Sequence, residues 1–272
     1  MEVISIATLN IGAAAKERAE RILSDWVIPR PFDVYVFTET SEGEGTKWLR
    51  GEFERSNWLV FQRPCVANDR GVLIATRVAS VEISDYPKRD PAPGRTLGIT
   101  LTTSPEIELL GVYVPNRGND PRKTTRKRIF LESWMRYLEE RAARGSGECI
   151  LVGDMNVVPP SQHPTFLPQQ PFEDEWYRML TSRAQMVDAA LIHNETGHES
   201  TWKAFTGEGY TYDHIFMTKS LTSREVKFSY DHSPRIATRI TDHSAVVVSI
   251  RLEMARFMET VEPGAPVQGA LF

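Results

Sequence analysis

Side chains able to bind a cation, move a proton or hydrogen-bond an anion recur at the ends of apolar runs in this chain. Asn10 follows the run Val3 to Leu9, and Glu39 follows Val34-Tyr35-Val36-Phe37. Tyr113 and Asn116 close Val112-Tyr113-Val114-Pro115-Asn116, while Asp154 and Asn156 follow Ile150-Leu151-Val152. Asp213 stands in Tyr212-Asp213-His214-Ile215-Phe216, and Asp242-His243 immediately precedes a last apolar run, Ala245 to Leu252. Strands that end in carboxylates, amides and an imidazole are how a rigid scaffold presents a polar site at one edge. These residue types suit the hydrolysis of a phosphodiester. That reaction needs a hard divalent cation on oxygen ligands, with carboxylates and amides favouring Mg²⁺. It also needs an activated water and donors to the phosphate oxygens. Glu39 can hold the metal, Asp154 can orient or deprotonate water, and His243, oriented by Asp213, can meet a phosphate oxygen as an imidazolium. Each fragment alone is common; their joint occurrence in this order carries the weight.

The elements that must position these groups follow from periodicity and punctuation. A first strand, Val3 to Leu9, precedes a helix over 13–26 whose apolar positions Ala19, Ile22, Leu23 and Trp26 share a face, with Pro29 and Pro31 as stops. Strands are expected at Val34–Phe37, Trp58–Phe61, Gly71–Thr76, Ser80–Ser84, Thr96–Leu101 and Ile107–Val114, with a short helix around Trp48, Leu49 and Phe53. Asp120 and Pro121 form a strong helix start, a cap followed by a residue with no N–H to lose, and this helix runs to about Arg144. Further elements are a strand at Ile150–Val152, a helix at Glu173–Thr181, and strands near Tyr212–Met217, Glu225–Ser229 and Ala245–Leu252. Many strands with a few helices between them predict an α/β protein of two packed sheets. A catalytic domain is expected over 1–257, with 258–272 as a linker and tail.

Composition sets the bounds. The 272 residues, 41% hydrophobic and 10% aromatic, suffice for one large core. No stretch approaches the roughly 20 apolar residues that span a bilayer. The N-terminus enters an apolar alternation with no basic leader or cleavage site, so a cytoplasmic, nucleoid-associated protein is expected, without a membrane partner and as a monomer. Cys65 and Cys149, the only cysteines, have no zinc or disulfide spacing. A net charge of −4 weighs weakly against a purely electrostatic nucleic-acid binder, and suits an enzyme that gathers carboxylates around a metal.

The series Leu9-Asn10-Ile11, Thr38-Glu39-Thr40, Gly94-Arg95, Tyr113-Val114-Pro115-Asn116, Gly153-Asp154-Met155-Asn156, Tyr212-Asp213-His214-Ile215-Phe216 and Thr241-Asp242-His243-Ser244 resembles the endonuclease/exonuclease/phosphatase superfamily. Within that superfamily it is most similar to the exonuclease III-like branch of abasic-site endonucleases. The likeness spans residues 3 to 250. It implies a four-layer αββα sandwich of two mixed sheets, a site at one rim, and Mg²⁺ as cofactor with Mn²⁺ as substitute. It implies Glu39 as principal metal ligand with Asn10 and Asp242 nearby, and Tyr113 and Asn116 close to the scissile phosphate. Asp154 would act on the attacking water, Asn156 would orient it, and Asp213 would pair with His243. Thr165-Phe166-Leu167-Pro168, the acidic helix with Trp176, Val187-Asp188 and Ser200-Thr201-Trp202 follow the branch more finely, with Trp202 as a stacking surface for a base or sugar. There are departures: Gly12, Ser41 and Thr211 stand where relatives usually carry a polar residue, a lysine and an arginine. Near Leu191 an arginine of abasic-site enzymes is also missing. These leave the cleavage chemistry intact and weaken abasic-site specificity.

Arg117, Arg122, Lys123, Arg126, Lys127 and Arg128 cluster after Asn116 and, with Arg95, form an expected phosphate-binding surface, although a solvated helix face is the plainer reading. At the C-terminus Gln268, Leu271 and Phe272 resemble the short peptide by which bacterial replication and repair proteins dock on the sliding clamp; the alternative is a tail that packs on its own domain. His163, His193, His198 and His232 are expected at the surface or in loops, and His214 on the face opposite Asp213. Trp26, Trp48, Trp58 and Trp134 are expected in the core. The leading functional reading is a Mg²⁺-dependent nuclease acting on DNA. It competes with a phosphomonoesterase or small-molecule phosphodiesterase on the same scaffold, and with a catalytically idle DNA- or clamp-binding module.

Overall fold

The computed structural model describes residues 1–65, 69–83, 92–164, 168–193, 197–204 and 207–265. Its strands are β1 (Glu2–Asn10), β2 (Val34–Thr40), β3 (Leu59–Gln62), β4 (Gly71–Thr76), β5 (Ser80–Glu82), β6 (Thr96–Leu101), β7 (Thr103–Ser104) and β8 (Ile107–Tyr113). They continue as β9 (Glu148–Asp154), β10 (Met186–Asp188), β11 (Trp202–Lys203), β12 (Gly209–Tyr210), β13 (Asp213–Thr218), β14 (Val226–Asp231), β15 (Ala245–Leu252) and β16 (Met254–Ala255). The helices are α1 (Lys16–Ile22), α2 (Glu44–Arg55), α3 (Pro121–Ala143), α4 (Pro171–Ser182), α5 (Ala190–His193) and α6 (Ser233–Ile236).

Two six-stranded sheets form, in the orders β14-β15-β1-β2-β4-β3 and β10-β13-β9-β8-β6-β5. Each is mixed: β1 runs parallel to β2 and β8 parallel to β9, and the other neighbours are antiparallel. Because side chains alternate across a strand, apolar residues on both faces mean that both faces are covered. Ile4, Ile6, Val34, Val36, Leu109, Ile150, Val152 and Ile215 meet in one core between the sheets. Their neighbours Leu9, Tyr35 and Phe37 pack outward with Ile22, Trp26 and Phe53 of the α1–α2 side. Leu110, Leu151 and Phe216 pack outward with Trp134, Leu138 and Trp176 of α3 and α4. This is the expected four-layer αββα sandwich.

Most expected elements form, with instructive shifts. The first helix starts only at Lys16, because Gly12 and Ala13 turn the chain at positive φ (55° and 48°), and after Ile22 it widens into a π turn, Leu23–Val27. Helix α3 begins as the sequence predicts: Asp120 Oδ1 accepts from the Arg122 N–H at 2.8 Å, with Pro121 in the first turn. Helix α4 starts two residues early at Pro171, where Glu173 reaches back to accept the Gln170 N–H at 2.7 Å. The pieces β10–β12, α5 and α6 are too short for periodicity to register. Beyond Phe257 the chain lies against the first sheet's end: Trp58 Nε1 donates to the Val261 carbonyl at 3.1 Å, and Pro263 is buried. The expected clamp-docking residues Gln268, Leu271 and Phe272, and Thr165 to Leu167, lie outside the described residues. Among the described residues no helix is long and apolar enough to cross a membrane.

Candidate active site

Pairing register does the first work of assembly. Asp154 ends β9 and sits directly opposite both Tyr113 of β8 and Asp213 of β13. Asn10 ends β1 beside Thr38, next to Glu39 in β2. Both sheets therefore deliver their polar ends to the same rim. A cleft of about 570 Å³ opens there, lined among others by Asn10, Glu39, Tyr113, Asn116, Arg117 and Asp154, and by Asn156, Trp202, Asp242 and His243. Asp213 lies behind His243, and Arg95, Arg122 and Lys123 stand outside the lining.

Local backbone chemistry aims the groups. Glu39 adopts φ 54°, at the point where the β2–β4 register shifts between Thr38 and Thr40. A left-handed non-glycine residue costs about 1 kcal/mol, and the hydrogen bond from Ala13 N–H to Glu39 O at 2.7 Å helps hold it. Asn156 is also left-handed (φ 48°); its N–H donates to Asp154 Oδ1 at 2.8 Å and its Nδ2 to the Val114 carbonyl at 3.0 Å. Gly153, the penultimate residue of β9, has φ 138°, and a Cβ there would lie 2.1 Å from the Val112 oxygen. Only glycine fits.

The floor of the cleft is a charged network. Asn10 Nδ2 donates to Asp154 Oδ2 at 2.8 Å, while Asn10 Oδ1 accepts the Gly12 N–H at 2.8 Å. Asp154 is 1% exposed. Burial, then the neighbouring Asp213 carboxylate, push its pKa up to about 7, and the His243 charge and the Asn10 bond pull the other way. His243 Nδ1 donates to Asp213 Oδ2 at 2.7 Å. Burial opposes the imidazolium, but Asp213, Asp154 and Asp242 outweigh it and raise the His243 pKa to about 9. The ring is thus charged at neutral pH. Thr201 holds the approach: its hydroxyl accepts the Tyr212 and Asp213 N–H groups at 3.0 and 3.1 Å, and its carbonyl accepts Ser244 N–H at 2.7 Å.

Around this floor, Asp242 Oδ2 accepts the Trp202 indole N–H at 2.9 Å, and Trp202 lies against Tyr210 and Tyr212. The aromatic wall thereby stands over an acid of the site. Tyr113 is covered by the Arg95 guanidinium, 4.5 Å from its ring centroid, and Arg95 is paired with Asp69 at 2.5 Å. Burial, followed by Asp154 and Glu39, raises the Tyr113 pKa, so the phenol stays protonated as a donor. Asn116 is exposed at the cleft mouth, its Oδ1 accepting the Gly118 N–H at 2.9 Å.

The basic cluster divides. Arg117 and Lys127 are buried and converge on Glu173, with Arg117 Nε 3.1 Å from Glu173 Oε2 and its other arm on the Pro168 carbonyl. Lys127 also donates to the Asn156 carbonyl. Arg126 pairs with Asp69, Arg128 lies over Phe172, and Arg122 and Lys123 are exposed. Sequence reasoning placed Lys127 on a solvated or phosphate-facing surface. Its spacing from Leu131, Trp134 and Leu138 along α3 puts it on the apolar stripe, a signal already present in the sequence. Glu173, Asp69 and Thr201, the supports of the site, had no such signal. His198, expected at the surface or in a loop, does lie in a loop, with its ring enclosed against Asp188. His214 does face away from the cleft, as alternation along β13 requires.

The donor set can be tested against a metal. One ligand atom each of Asp154, Asp213 and His243 lies within 4.8 Å of the others. Asp213 Oδ2 and His243 Nδ1 are spent on each other, and Glu173, also in the lining, is taken by Arg117 and Lys127, which leaves Glu39, Asp154 and Asp242 beside the Asn10 amide oxygen. Oxygen donors without thiolates fit a hard divalent cation such as Mg²⁺ or Mn²⁺.

A family model, described as the endonuclease/exonuclease/phosphatase family, matches residues 7–243. The chain belongs to that family. Solved structures of similar fold include an AP endonuclease from Archaeoglobus fulgidus, 22% identical with a TM-score of 0.75 over 92% of this chain and 100% of that one. A 3′ phosphatase, NExo from Neisseria bound to a product DNA hairpin, is 18% identical with a TM-score of 0.72 over 92% and 100%. The catalytic domain of Xenopus laevis APE2 is 15% identical with a TM-score of 0.69 over 94% of each chain. No curated protein matches this chain in sequence.

Proposed function

We propose that the protein is a Mg²⁺-dependent phosphodiester hydrolase acting on DNA, an exonuclease III-like nuclease that cleaves at abasic sites or trims 3′ ends. The observation that carries this reading is the convergence of Glu39, Asp154 and Asp242 with one imidazolium at a single rim. Acids gathered in one cleft are costly, Arg70 approaching Glu39 only to 3.9 Å, and a cation with an anionic substrate balances them.

In this reading Glu39, Asp242 and Asn10 hold the metal, with Mn²⁺ as substitute. The bound cation supplies charge neutralisation of the phosphate and a lowered pKa for water. Asp154, held by Asn10 and by the Asn156 N–H, accepts the proton of the attacking water, and Asn156 orients it. His243, protonated and oriented by Asp213, donates to a non-bridging phosphate oxygen as charge builds there. Tyr113 donates from the opposite side. Trp202, backed by Tyr210 and Tyr212, offers a stacking face for the sugar or base beside the scissile bond. Asn116 and the exposed Arg122 and Lys123 bind flanking phosphates. Arg117, in the cleft lining and paired with Glu173, and Arg95, behind Tyr113, support this surface. The C-terminal Gln268, Leu271 and Phe272 are proposed to dock on a sliding clamp; a chain cut after Pro266 that is still retained on immobilised clamp refutes this.

End-labelled DNA duplexes carrying an abasic site, a nick, a recessed 3′ end or a 3′ phosphate, with and without Mg²⁺, test the assignment. Mg²⁺-dependent cleavage of any phosphodiester supports it. Release of the 3′ phosphate alone favours the phosphomonoesterase reading, which the fold likeness to a 3′ phosphatase keeps in view. Binding of DNA without turnover favours the idle module.

A further inference from the structure

A second polar cluster lies on the far face of β13 from the cleft, and the proposed hydrolysis uses none of it. Its centre is His214, 2% exposed, enclosed by the rings of Tyr177, His198 and Phe216. One ring nitrogen, Nδ1, is 3.1 Å from Asp188 Oδ2. The other, Nε2, is 3.1 Å from the Val157 carbonyl oxygen and 3.2 Å from that of Thr211. Asp188 is already ringed by donors: Tyr177 OH at 2.7 Å and His198 Nε2 at 2.9 Å on Oδ2, and the Ala190 N–H at 3.0 Å on Oδ1.

Proton counting favours one state. Carbonyl oxygens only accept, so Nε2 carries a hydrogen. Asp188 Oδ2 meets the Tyr177 hydroxyl, His198 Nε2 and His214 Nδ1 together, Tyr177 and His198 being themselves 3.2 Å apart, and an ionised carboxylate that accepts from all three makes Nδ1 a donor as well. Against the cost of burial, the bonds from His198 and His214 hold the Asp188 carboxyl well below its ordinary range. Burial likewise works against a charged His214, and Asp188 overrides it. The titratable groups around the ring are Asp188 of β10, Tyr177 of α4, His198 and the neighbouring Asp213. None competes for the two carbonyls.

Those carbonyls belong to the segments that carry the chemistry. Val157 follows Asn156 by one residue, and Thr211 precedes Asp213 by two. The Met155 N–H to Tyr212 carbonyl bond, 2.8 Å, already ties the same segments together. We infer that His214 is a permanently charged positioning residue, an imidazolium anchored on Asp188 that clamps the Val157 and Thr211 carbonyls and thereby fixes the spacing of Asp154, Asn156 and Asp213. The charge strengthens both carbonyl bonds, as charge-assisted bonds are roughly twice as strong as neutral ones.

Two experiments test this, and only the second rests on the hydrolase reading. The first is long-range ¹H–¹⁵N NMR of the native protein, alongside metal analysis. Both His214 nitrogens should be protonated at about pH 8, well above the ordinary histidine pKa near 6.5. A bare Nδ1 or Nε2 there, or a stoichiometric metal held by His214, overturns the inference. The second compares His214→Phe, which fills the ring volume without donors, with His214→Gln, which restores one. The Phe variant should lose about tenfold or more in kcat with KM within about twofold, and Gln should recover part of the loss. A folded Phe variant with unchanged kcat refutes the clamp. Should the Phe variant fail to fold, the NMR result decides.

Discussion

Two Asp–His pairs stand back to back across β13. On the cleft side Asp213 accepts a hydrogen bond from His243 Nδ1 at 2.7 Å; on the helical side His214 Nδ1 donates to Asp188 at 3.1 Å. Both pairs are buried and both histidines have raised pKa values. They differ in the second ring nitrogen. That of His214 is consumed by two backbone carbonyls, whereas His243 lines an open cleft with Glu39, Asp154 and Asp242. On the proposed reading, an acid–imidazole pair is free for chemistry or committed to positioning according to what its remaining nitrogen meets.

The largest expected effect separates the two pairs by activity. Asp154→Ala and His243→Ala should each lower turnover of a duplex substrate by about a thousandfold or more, while circular dichroism stays native. The loss at His214 should be far smaller. Comparable losses at His243 and His214 would erase the distinction.

Next is pH. The folded pKa of His243, about 9, lies above its ordinary value. The stability this pair contributes is fully present below about pH 6.5 and disappears as pH rises through about 9. If the imidazolium is the phosphate donor, kcat should fall about tenfold per pH unit above about 9. Asp154 is shifted in the same direction, so it too favours the protonated, low-pH state. Its pKa of about 7 makes its ionisation costly, and a neighbouring cation reverses that cost. Mg²⁺ should therefore raise Tm more at about pH 8 than at about pH 5.5; equal shifts at both would show that Asp154 does not sense the ion.

These groups were legible because each borders an apolar run: Asn10, Glu39, Tyr113 and Asp154 lie where theirs end, and Asp213 and Asp242-His243 where theirs begin, as strands antiparallel to β9 and β1 must to reach the same rim. Pairing itself was not legible: the opposition of Asp154 to both Tyr113 and Asp213 follows from long-range register. Nor was the left-handed turn at Glu39, which no glycine announces. The supports were hardest to read. Glu173 and Asp69 look like ordinary surface acids, and only the folded packing of α3 against α4 and of Asp69 against Arg95 gives them partners. His198 lies in a loop as expected, but its enclosure was hidden for the same reason, since its partner Asp188 sits on a three-residue strand that carries no pattern.

A third variant probes that hidden layer. Lys127→Met removes a buried cation from Glu173 and from the Asn156 carbonyl but leaves Arg117 in place. With one partner remaining, the cost should be roughly 2–3 kcal/mol, below that of a fully orphaned buried charge. Tm should drop by several degrees, and kcat should fall modestly because Asn156 loosens. An unchanged Tm would mean that Arg117 alone satisfies Glu173.

The smallest effect belongs to the residues farthest from either pair. Arg122 and Lys123 are exposed on the first turn of α3, next to the cleft-edge residues 116–119. Each phosphate contact contributes about 0.9 to the slope of log affinity against log salt on duplex DNA. If both side chains touch the backbone, replacing them together with alanine should flatten that slope by about 2 and raise KM several-fold at low salt. The cap Asp120 must be kept, so that the helix itself is not disturbed. Turnover at saturation should stay the same, because neither side chain reaches the cleft floor. An unaltered salt slope would leave the two residues as a solvated helix face. It would also shift the weight toward a soluble phosphoester, which has no flanking phosphates for them to meet.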